Sequence, residues 1–248
     1  MKVNKISFAM NYFYLGINLY YEPMFIIFAG DLNIITSLLS MQGINEFDLK
    51  AADWDENPMH HARSEAIAKA MGRILPLKQS MSALEFGSGT GILSFLLRDR
   101  LNEIILMDNS TEMVNITNRK IELTGVKNLK PLVFDLEHEF YSAKCFDLIF
   151  TQMVLHHVKD IENIFEKFNK MLKPDGFIAI ADLYAEDGSF HGEGFTGHNG
   201  FNIEELAAAL ERNNFKVLAK EQCFVIDRKI SENITNQYPV FLLIANRR

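Results

Sequence analysis

Three glycines stand two residues apart in the stretch ALEFGSGTGILS, residues 83–94, between two apolar runs. Glycine lets the backbone turn sharply and lets a ligand approach the main chain closely. The dinucleotide fingerprint is G-x-G-x-x-G and the phosphate loop is G-x-x-x-x-G-K-[ST], whereas Gly87, Gly89 and Gly91 follow G-x-G-x-G with no lysine after them. The loop alone is therefore compatible with a dinucleotide, a mononucleotide, a ligand without phosphate or a plain strand-to-helix turn.

Acidic residues lie at the ends of three predicted strands, where Glu85, Asp108 and Asp135 occur. The Asp108 carboxylate can accept hydrogen bonds from ribose hydroxyls, and Asp135 can accept one from an exocyclic amine. Taken singly, each acid is equally compatible with a surface carboxylate or a helix cap, and Asp108 would also suit NAD. Taken together, the three acids disfavour a pyrophosphate and favour a ligand that is partly cationic.

Histidines occur at two places that can border the same site. His156 and His157 follow the fourth predicted strand in MVLHHV, and His191 and His198 lie in the loop HGEGFTGHNG. Imidazole titrates near neutrality, so His156, His157 and His198 are the predicted proton-transfer residues. Packing or cofactor contact is the alternative for the pair, and a flexible, solvated lid is the alternative for the loop. HGE matches the H-x-E half of the zinc-deaminase signature, but the P-C-x-x-C half is absent, and we predict no metal site.

The elements that must position these residues alternate between buried strands and amphipathic helices. Apolar runs predict strands at residues 82–86, 103–108, 129–135, 146–153, 176–183, 216–226 and 239–246, and helices at 60–75, 92–101, 110–123, 159–172 and 202–215. Such alternation predicts βαβ units and a doubly wound α/β fold, with a mostly parallel sheet covered by helices on both faces. Ligands bind outside the carboxyl ends of the strands in such sheets, which is where the acids and histidines lie.

Composition excludes several classes of protein. The chain of 248 residues is long enough to bury a full core, and its net charge of −7 disfavours nucleic-acid binding. Its two cysteines, Cys145 and Cys223, cannot form a disulfide framework or a four-cysteine zinc site. We therefore expect a globular protein in a reducing, cytoplasmic setting, with no nucleic-acid partner and no membrane partner.

Residues 1–41 differ from the rest of the chain. Two lysines precede a charge-free run over residues 6–21 that is similar to a signal peptide, but this run contains two asparagines and is shorter than the roughly 18–20 apolar residues of a membrane span. The segment is interpreted as a packed helical extension, a membrane-associating segment or sequence upstream of the natural start. The polar, domain-like sequence from Met41 favours the last interpretation or a dispensable extension over an anchor. We expect the folded domain to cover residues 42–248.

Five successive segments, LEFGSGTG, ILMDNS, VFDLE, FDLIFTQMVLHHV and LKPDGFIAIAD, carry a family resemblance. Their order and spacing over residues 45–245 resemble those of the class I S-adenosylmethionine-dependent methyltransferases, especially the small-molecule branch that includes the quinone-biosynthesis C-methyltransferases. The resemblance implies a Rossmann-like sheet of seven strands whose last strand is antiparallel. It also implies S-adenosyl-L-methionine as the cofactor and in-line transfer of its methyl group to a small-molecule acceptor.

The resemblance further implies which residues contact the cofactor. From the methionine portion through the ribose to the adenine and the transferable methyl, these are Glu85, Gly87, Ser88, Gly89, Gly91, Asp108, Asn109, Met113, Asp135, Leu136, Thr151, Gln152 and Met153. Arg63 is expected to pair with the cofactor carboxylate, or else to form a surface ion pair. The segment around Trp54 is expected to be a lid over the cofactor, and a core position is the alternative for this tryptophan.

Two other functions are compatible with the sequence. An NAD(P)-dependent oxidoreductase is disfavoured by the glycine spacing and by Asp135, and a non-catalytic cofactor-binding protein is disfavoured by the intact motif at every strand end. Enzymes that methylate amino groups of nucleic acids usually carry (N/D)-P-P-(Y/F) after the fourth strand, where this chain has TQMV at residues 151–154. The leading hypothesis is therefore a small-molecule methyltransferase.

Overall fold

The computed structural model describes residues 46–231 and 234–248, so the expectations for residues 1–41 lie outside the described part of the chain. The helices are α1 (Glu46–Lys50), α2 (Pro58–Ile74), α3 (Ile92–Leu97), α4 (Thr111–Thr124), α5 (Ile161–Met171) and α6 (Ile203–Arg212). The strands are β1 (Ser82–Phe86), β2 (Glu103–Asp108), β3 (Leu129–Val133), β4 (Phe146–Gln152), β5 (Leu172–Leu183), β6 (Phe215–Ser231) and β7 (Ile234–Arg247). Single 3-10 turns occur at Trp54–Glu56, Arg98–Arg100 and Leu155–His157.

All seven strands form one sheet in the order β3-β2-β1-β4-β5-β7-β6. Strands β1 to β5 pair in parallel, and β7 pairs antiparallel with both β5 and β6. The chain winds outward in one direction from β1 and in the other from β4, so a crevice opens at their carboxyl ends, as in other doubly wound sheets. The predicted doubly wound fold and its antiparallel last strand are confirmed.

Each face of the sheet has its own apolar core because side chains alternate along a strand. Leu148 and Phe150 of β4 face one cluster, together with residues of α2 and α3 such as Ile67 and Leu93. Ile149 faces the other cluster, which includes residues of α5 and α6. The helices thus hold the central strands from both sides, and the carboxyl ends of these strands are fixed in place.

The helix that follows β2 begins and ends as its sequence predicts. Ser110 is the N-cap of α4, and its hydroxyl accepts a hydrogen bond from the Met113 amide at 3.2 Å. Gly125 follows the last turn with φ of 68° and donates to the Ile121 carbonyl. Such caps satisfy backbone groups that a helix end otherwise leaves unpaired. They fix the N-terminus of α4 directly beside the end of β2.

Several strand bounds differ from the predicted ones for identifiable reasons. Strand β3 ends at Val133 rather than at residue 135, because the Asp135 side chain bonds the backbone of the next turn. Strands β6 and β7 are longer than predicted and pair with each other as far as Ser231 and Ile234. Their outer part carries polar residues such as Asp227, so it lacks the apolar pattern by which a strand is recognised in sequence.

Within 46–231 and 234–248, no helix combines the length and the apolarity that a bilayer span requires.

Candidate functional site

The glycine loop between β1 and α3 contains three residues with a left-handed backbone conformation. Gly87, Gly89 and Gly91 have φ values of 66°, 53° and 79°, a region that other residues adopt at a cost. A Cβ atom at Gly87 would lie 2.3 Å from a Val154 methyl, and one at Gly91 would lie 2.7 Å from Leu106. At Gly89 the nearest atoms are 4.0 Å away. Two of the glycines therefore serve protein packing, and Gly89 is where a ligand can approach the backbone.

Asp108 at the end of β2 braces this loop. One carboxylate oxygen accepts the Gly89 amide at 2.7 Å, and the other accepts the Ser110 amide at 2.8 Å. Burial is the largest influence on the carboxyl group and raises its pKa. Each carboxylate oxygen of Asp108 can accept a further hydrogen bond, so the group can also accept hydrogen bonds from ribose hydroxyls. Next to it Asn109 is exposed, and Met113 packs beneath the loop with its sulfur 4.0 Å from the Cβ position of Gly89.

Glu85 lies beneath the loop and is fully buried. Its Oε2 accepts the Ser94 hydroxyl at 2.5 Å, and burial raises the pKa of the carboxyl group to about 8. Among the described residues, its Oε1 has no hydrogen-bond partner, and the same holds for the buried hydroxyls of Ser88 and Thr151. Buried polar atoms are normally hydrogen-bonded. Three of them without partners around one crevice fit a polar ligand such as the amino-acid end of the predicted cofactor.

The end of β4 supplies the floor of the crevice. Gln152 accepts a hydrogen bond from the Ser64 hydroxyl of α2 at 3.0 Å. Met153 follows with φ of 55°, an uncommon backbone conformation for a residue other than glycine. Its amide donates to the Ala181 carbonyl, which holds the turn in place. Strained backbone of this kind tends to occur at functional sites.

Asp135 is less available than the sequence suggests. Its Oδ1 accepts the backbone amides of Glu137 and His138, and its Oδ2 contacts the His138 ring at 2.8 Å. The side chain is 37% exposed. Leu136 beside it is buried. A ligand amine at Asp135 would have to share the carboxylate with His138.

The segment before α2 lies across the glycine loop. Asp55 accepts hydrogen bonds from Lys120 at 2.6 Å and from the Thr90 hydroxyl at 2.5 Å. Asp48 accepts the Ser110 hydroxyl at 2.6 Å. Between them, the Trp54 ring lies against the His60 ring, with centroids 4.3 Å apart. The predicted position of this segment over the loop agrees with these contacts.

Arg63 of α2 is buried, with 5% of its surface exposed. Its Nη1 contacts the Met59 sulfur, and within the described residues its Nε has no hydrogen-bond partner. Burial lowers the pKa of the guanidinium to about 10, and the charge of Asp182 opposes this shift. Asp182 is already bonded to His156, so Arg63 forms no ion pair of its own within residues 46–231 and 234–248. The alternative of a surface ion pair is wrong, because the side chain is not at the surface.

Three histidines converge beyond the end of β4. His156 and His157 lie in a 3-10 turn, and the loop after β5 brings His191 against them. Ring centroids are 4.3 Å apart for the adjacent pair, and 5.0 and 5.2 Å from these two to His191. His191 stacks on Phe195 at 3.9 Å. Burial lowers the pKa of His157 to about 3.

His156 is held by a carboxylate that the sequence did not reveal. Its Nδ1 lies 2.6 Å from Oδ1 of Asp182, and both side chains are buried. The charge and the hydrogen bond of His156 keep the pKa of Asp182 below its usual value although burial opposes this. Asp182 also accepts the Leu183 amide at 2.7 Å, so its orientation is fixed. Its signal in the sequence was a lone acid inside the apolar run GFIAIADL.

His198 does not join the three converging rings. Its Nε2 bonds the Val158 carbonyl at 2.9 Å, and its backbone amide donates to the His156 carbonyl at 2.7 Å. These contacts attach the loop to the turn that carries His156. The structure therefore indicates a loop-positioning role for His198 rather than the predicted proton transfer.

Comparison with known proteins places this arrangement in context. Residues 59–220, more than half of the chain, match the family described as Methyltransferase domain. An uncharacterized methyltransferase of Schizosaccharomyces pombe is 29% identical over 168 residues, which are 60% of this chain and 59% of that protein. Malonyl-[acyl-carrier protein] O-methyltransferase 2 of Ilyobacter polytropus is 27% identical over 166 residues, with 63% and 61% covered. The chain spans about six-tenths of the length of these curated relatives.

Solved structures share the fold at low sequence identity. The YcgJ protein of Bacillus subtilis matches with a TM-score of 0.61 and 16% identity, covering 74% of this chain and 98% of that one. The N-methyltransferase NodS of Bradyrhizobium japonicum matches with a TM-score of 0.57 and 17% identity, covering 78% and 98%. These likenesses support the fold.

Proposed function

The chain belongs to the Methyltransferase domain family, and from this premise we propose that it transfers a methyl group from S-adenosyl-L-methionine to a small-molecule acceptor. The observation that carries the proposal is the opening at Gly89, bordered by Asp108 and by the unsatisfied buried atoms of Glu85 and Ser88. A glycine turn that leaves room for a ligand next to a carboxylate suits a nucleoside joined to an amino acid. An NAD(P) pyrophosphate is disfavoured here, because its negative charge would lie beside the buried Glu85 carboxyl group.

The cofactor, when bound, supplies a methyl group on a sulfonium that is already a good leaving group. The protein then needs chiefly to align the acceptor and to exclude water, and alignment of this kind can lower a barrier by roughly 7–11 kcal/mol. The segment around Trp54 covers the loop and excludes water from it. Thr151, Gln152 and Met153 border the reacting centre from the end of β4.

The proposed cofactor contacts lie in the glycine loop and at the ends of the neighbouring strands. The methionine portion binds against Glu85, Ser88 and the backbone at Gly89. The turn itself is formed by Gly87 and Gly91. Asp108 receives the ribose hydroxyls, with Asn109 and Met113 beside the nucleoside. Leu136 packs near the adenine, and Asp135 bonds its amine while it retains His138.

Arg63 is the proposed partner of the cofactor carboxylate. A buried guanidinium without an ion pair is costly, and an anionic group at hydrogen-bond distance removes that cost. The acceptor lies on the other side of the reacting centre, against His156 and His157. The net charge of −7 favours a small-molecule partner over a nucleic acid, and the proposed setting is the cytoplasm.

Calorimetry with S-adenosylmethionine and with its demethylated product tests the proposal. We expect micromolar-range binding of both ligands, and an Asp108→Ala variant should bind roughly 10–100-fold more weakly because two hydroxyl bonds to a carboxylate are lost. Asp99→Ala, at an exposed aspartate of the Arg98–Arg100 turn, is the matched control and should bind as the wild type does.

Two results would contradict parts of the proposal separately. Failure of the wild type to bind either ligand would exclude the methyltransferase function. Full affinity in Asp108→Ala would exclude the ribose assignment alone.

A further inference from the structure

The three converging histidines have the geometry of a metal site as well as that of a base. One ring nitrogen from each of His156, His157 and His191 lies within 4.8 Å of the others. A zinc ion with Zn–N bonds of about 2.0–2.1 Å in tetrahedral geometry separates its ligand nitrogens by about 3.4 Å. Small side-chain rotations therefore bring the three nitrogens to coordinating distance.

Asp182 places His156 as a metal ligand requires. The carboxylate lies at Nδ1, so in a neutral ring this nitrogen carries the proton and Nε2 keeps its lone pair for a metal ion. Histidines that bind zinc almost always donate their other ring N–H to a carboxylate, a carbonyl or water. Because Asp182 is itself fixed by the Leu183 amide, the ring cannot rotate freely.

The surroundings also suit a bound ion. The Phe195 ring lies against all three imidazoles, and the Phe47 ring packs edge-on against His157. His157 and His191 are only half-buried, so the cluster is not closed off from solvent. An apolar shell with one open side is typical of a catalytic metal site, which keeps a position for water or substrate.

We propose that His156, His157 and His191 bind one divalent transition-metal ion of the zinc type, with an open position for an oxygen atom of the acceptor. Imidazole ligands suit zinc, copper, iron and nickel, whereas magnesium and calcium prefer oxygen ligands. Metal binding itself does not depend on the proposed function. The acceptor's place on the metal does, because a hydroxyl or enol oxygen bound there would release its proton to water more readily. The resulting oxyanion would form a bond to the methyl group as the bond from that group to the sulfonium sulfur breaks, which leaves S-adenosylhomocysteine.

The sequence predicts no metal site, because HGE is one half of a linear motif whose other half is missing. The proposed ligands instead come from two segments 34 residues apart, which meet only when the loop after β5 folds back on the turn after β4.

Cobalt titration of metal-free protein tests the site directly. Full-length protein is dialysed against a chelator and then titrated with Co²⁺, whose visible absorption reports imidazole coordination, followed by competition with Zn²⁺. We expect about one ion per chain, displaced by zinc. His191→Ala should weaken the affinity by roughly 100-fold or more, and Asp182→Asn by roughly 10–100-fold.

His138→Ala is the matched control, because that histidine is exposed and pairs with Asp135 outside the cluster. It should bind cobalt as the wild type does, and circular dichroism should show that every variant is folded. Absence of saturable binding in the wild type, or equal affinity in folded His191→Ala, would overturn the proposal.

Calorimetry on the same metal-free samples separates this proposal from the proposed function. Binding of S-adenosylhomocysteine without cobalt binding would leave a methyltransferase with no metal, in which His156 is free to act as the base. Cobalt binding without S-adenosylhomocysteine binding would leave a metal site and exclude the proposed cofactor.

Discussion

The proposed cofactor half of the site, residues 85–113 with Asp135 and Leu136, and the proposed acceptor half, which comprises residues 151–157, Asp182 and the loop 185–200, are constructed differently. In the cofactor half, the functional groups lie at the ends of strands and in the turns that follow them, and one glycine turn leaves room for the proposed ligand. In the acceptor half, the side chains come from three segments and meet through a hydrogen bond between Asp182 and His156 and through ring contacts. The first half depends on local backbone geometry, and the second depends on how a long loop docks.

Gly87→Ala tests the backbone dependence of the cofactor half and has the largest expected effect. A Cβ atom there meets Val154 at 2.3 Å and the residue has a positive φ, so we expect a loss of about 2–5 kcal/mol in the free energy of unfolding. Gly125→Ala is the matched control, since its φ is also positive but nothing lies within 4 Å. It should lose only about 1 kcal/mol. Denaturant unfolding measures both, and equal losses would contradict the packing argument.

Gly197→Ala tests the docking of the loop in the acceptor half. A Cβ atom at this position would lie 2.2 Å from the His156 carbonyl, so the loop must shift, at a cost of about 1–3 kcal/mol. Gly192→Ala, in the same loop with open space around it, is the control for the clash, and its positive φ of 86° costs only about 1 kcal/mol. We expect Gly197→Ala to lose cobalt affinity and to retain its affinity for S-adenosylhomocysteine. Loss of both affinities would show that the two halves are not independent.

Glu85→Gln tests the charge state of the cofactor half. The folded-state pKa of about 8 lies above the ordinary 4.5, so ionisation destabilises the fold progressively as the pH rises from about 4.5 to 8. The wild type should lose a few kcal/mol over this range, at about 1.4 kcal/mol per pKa unit, and the variant should not. Thermal unfolding across this pH range measures the difference.

The same group should make cofactor binding release a proton. With a pKa of about 8, the Glu85 carboxyl group is mostly protonated at pH 7, and the ammonium of a bound S-adenosylhomocysteine should ionise it. Calorimetry in buffers of different ionisation enthalpy should show about one proton released per ligand bound by the wild type and none by Glu85→Gln. Equal proton release in the two proteins would contradict this assignment.

Asp55→Asn tests the cover of the cofactor half and has the smallest expected effect. The Asp55–Lys120 pair is partly exposed, so its loss should weaken S-adenosylhomocysteine affinity by only about 2–5-fold, and less at high salt. Glu56→Gln, at the exposed neighbour, should leave the affinity unchanged. A loss of 100-fold would mean that the segment contacts the ligand directly.

The two halves also differ in how well they could be predicted from sequence. Each strand end of the cofactor half was predicted because the apolar run, the turn and the acid are contiguous, as at Asp108. The competing bond from His138 to Asp135 was missed, because it depends on a turn that has no apolar pattern.

The acceptor half was predicted only in part. His156 and His157 were recognised, but Asp182 was counted as part of an apolar strand and His198 was assigned to catalysis. Neither contact could be predicted from spacing: the one between residues 156 and 182 depends on how β5 pairs with β4, and the one between residues 158 and 198 depends on the docked loop. Phe195, which lies against all three rings of the cluster, carried no signal in the sequence.

The loop after β5 has its two ends joined by strand-like contacts. Tyr184 and Phe201 form a parallel bridge, the Ala185 amide donates to the Phe201 carbonyl, and the Glu186 amide donates to the Asn199 carbonyl. Because the ends are held together independently of what lies between them, the cost of changing the loop's length grows only slowly. The loop can thus be replaced as a unit. Under the proposed function, a library of replacement loops on this scaffold should yield enzymes with new acceptor preferences and an unaltered cofactor half.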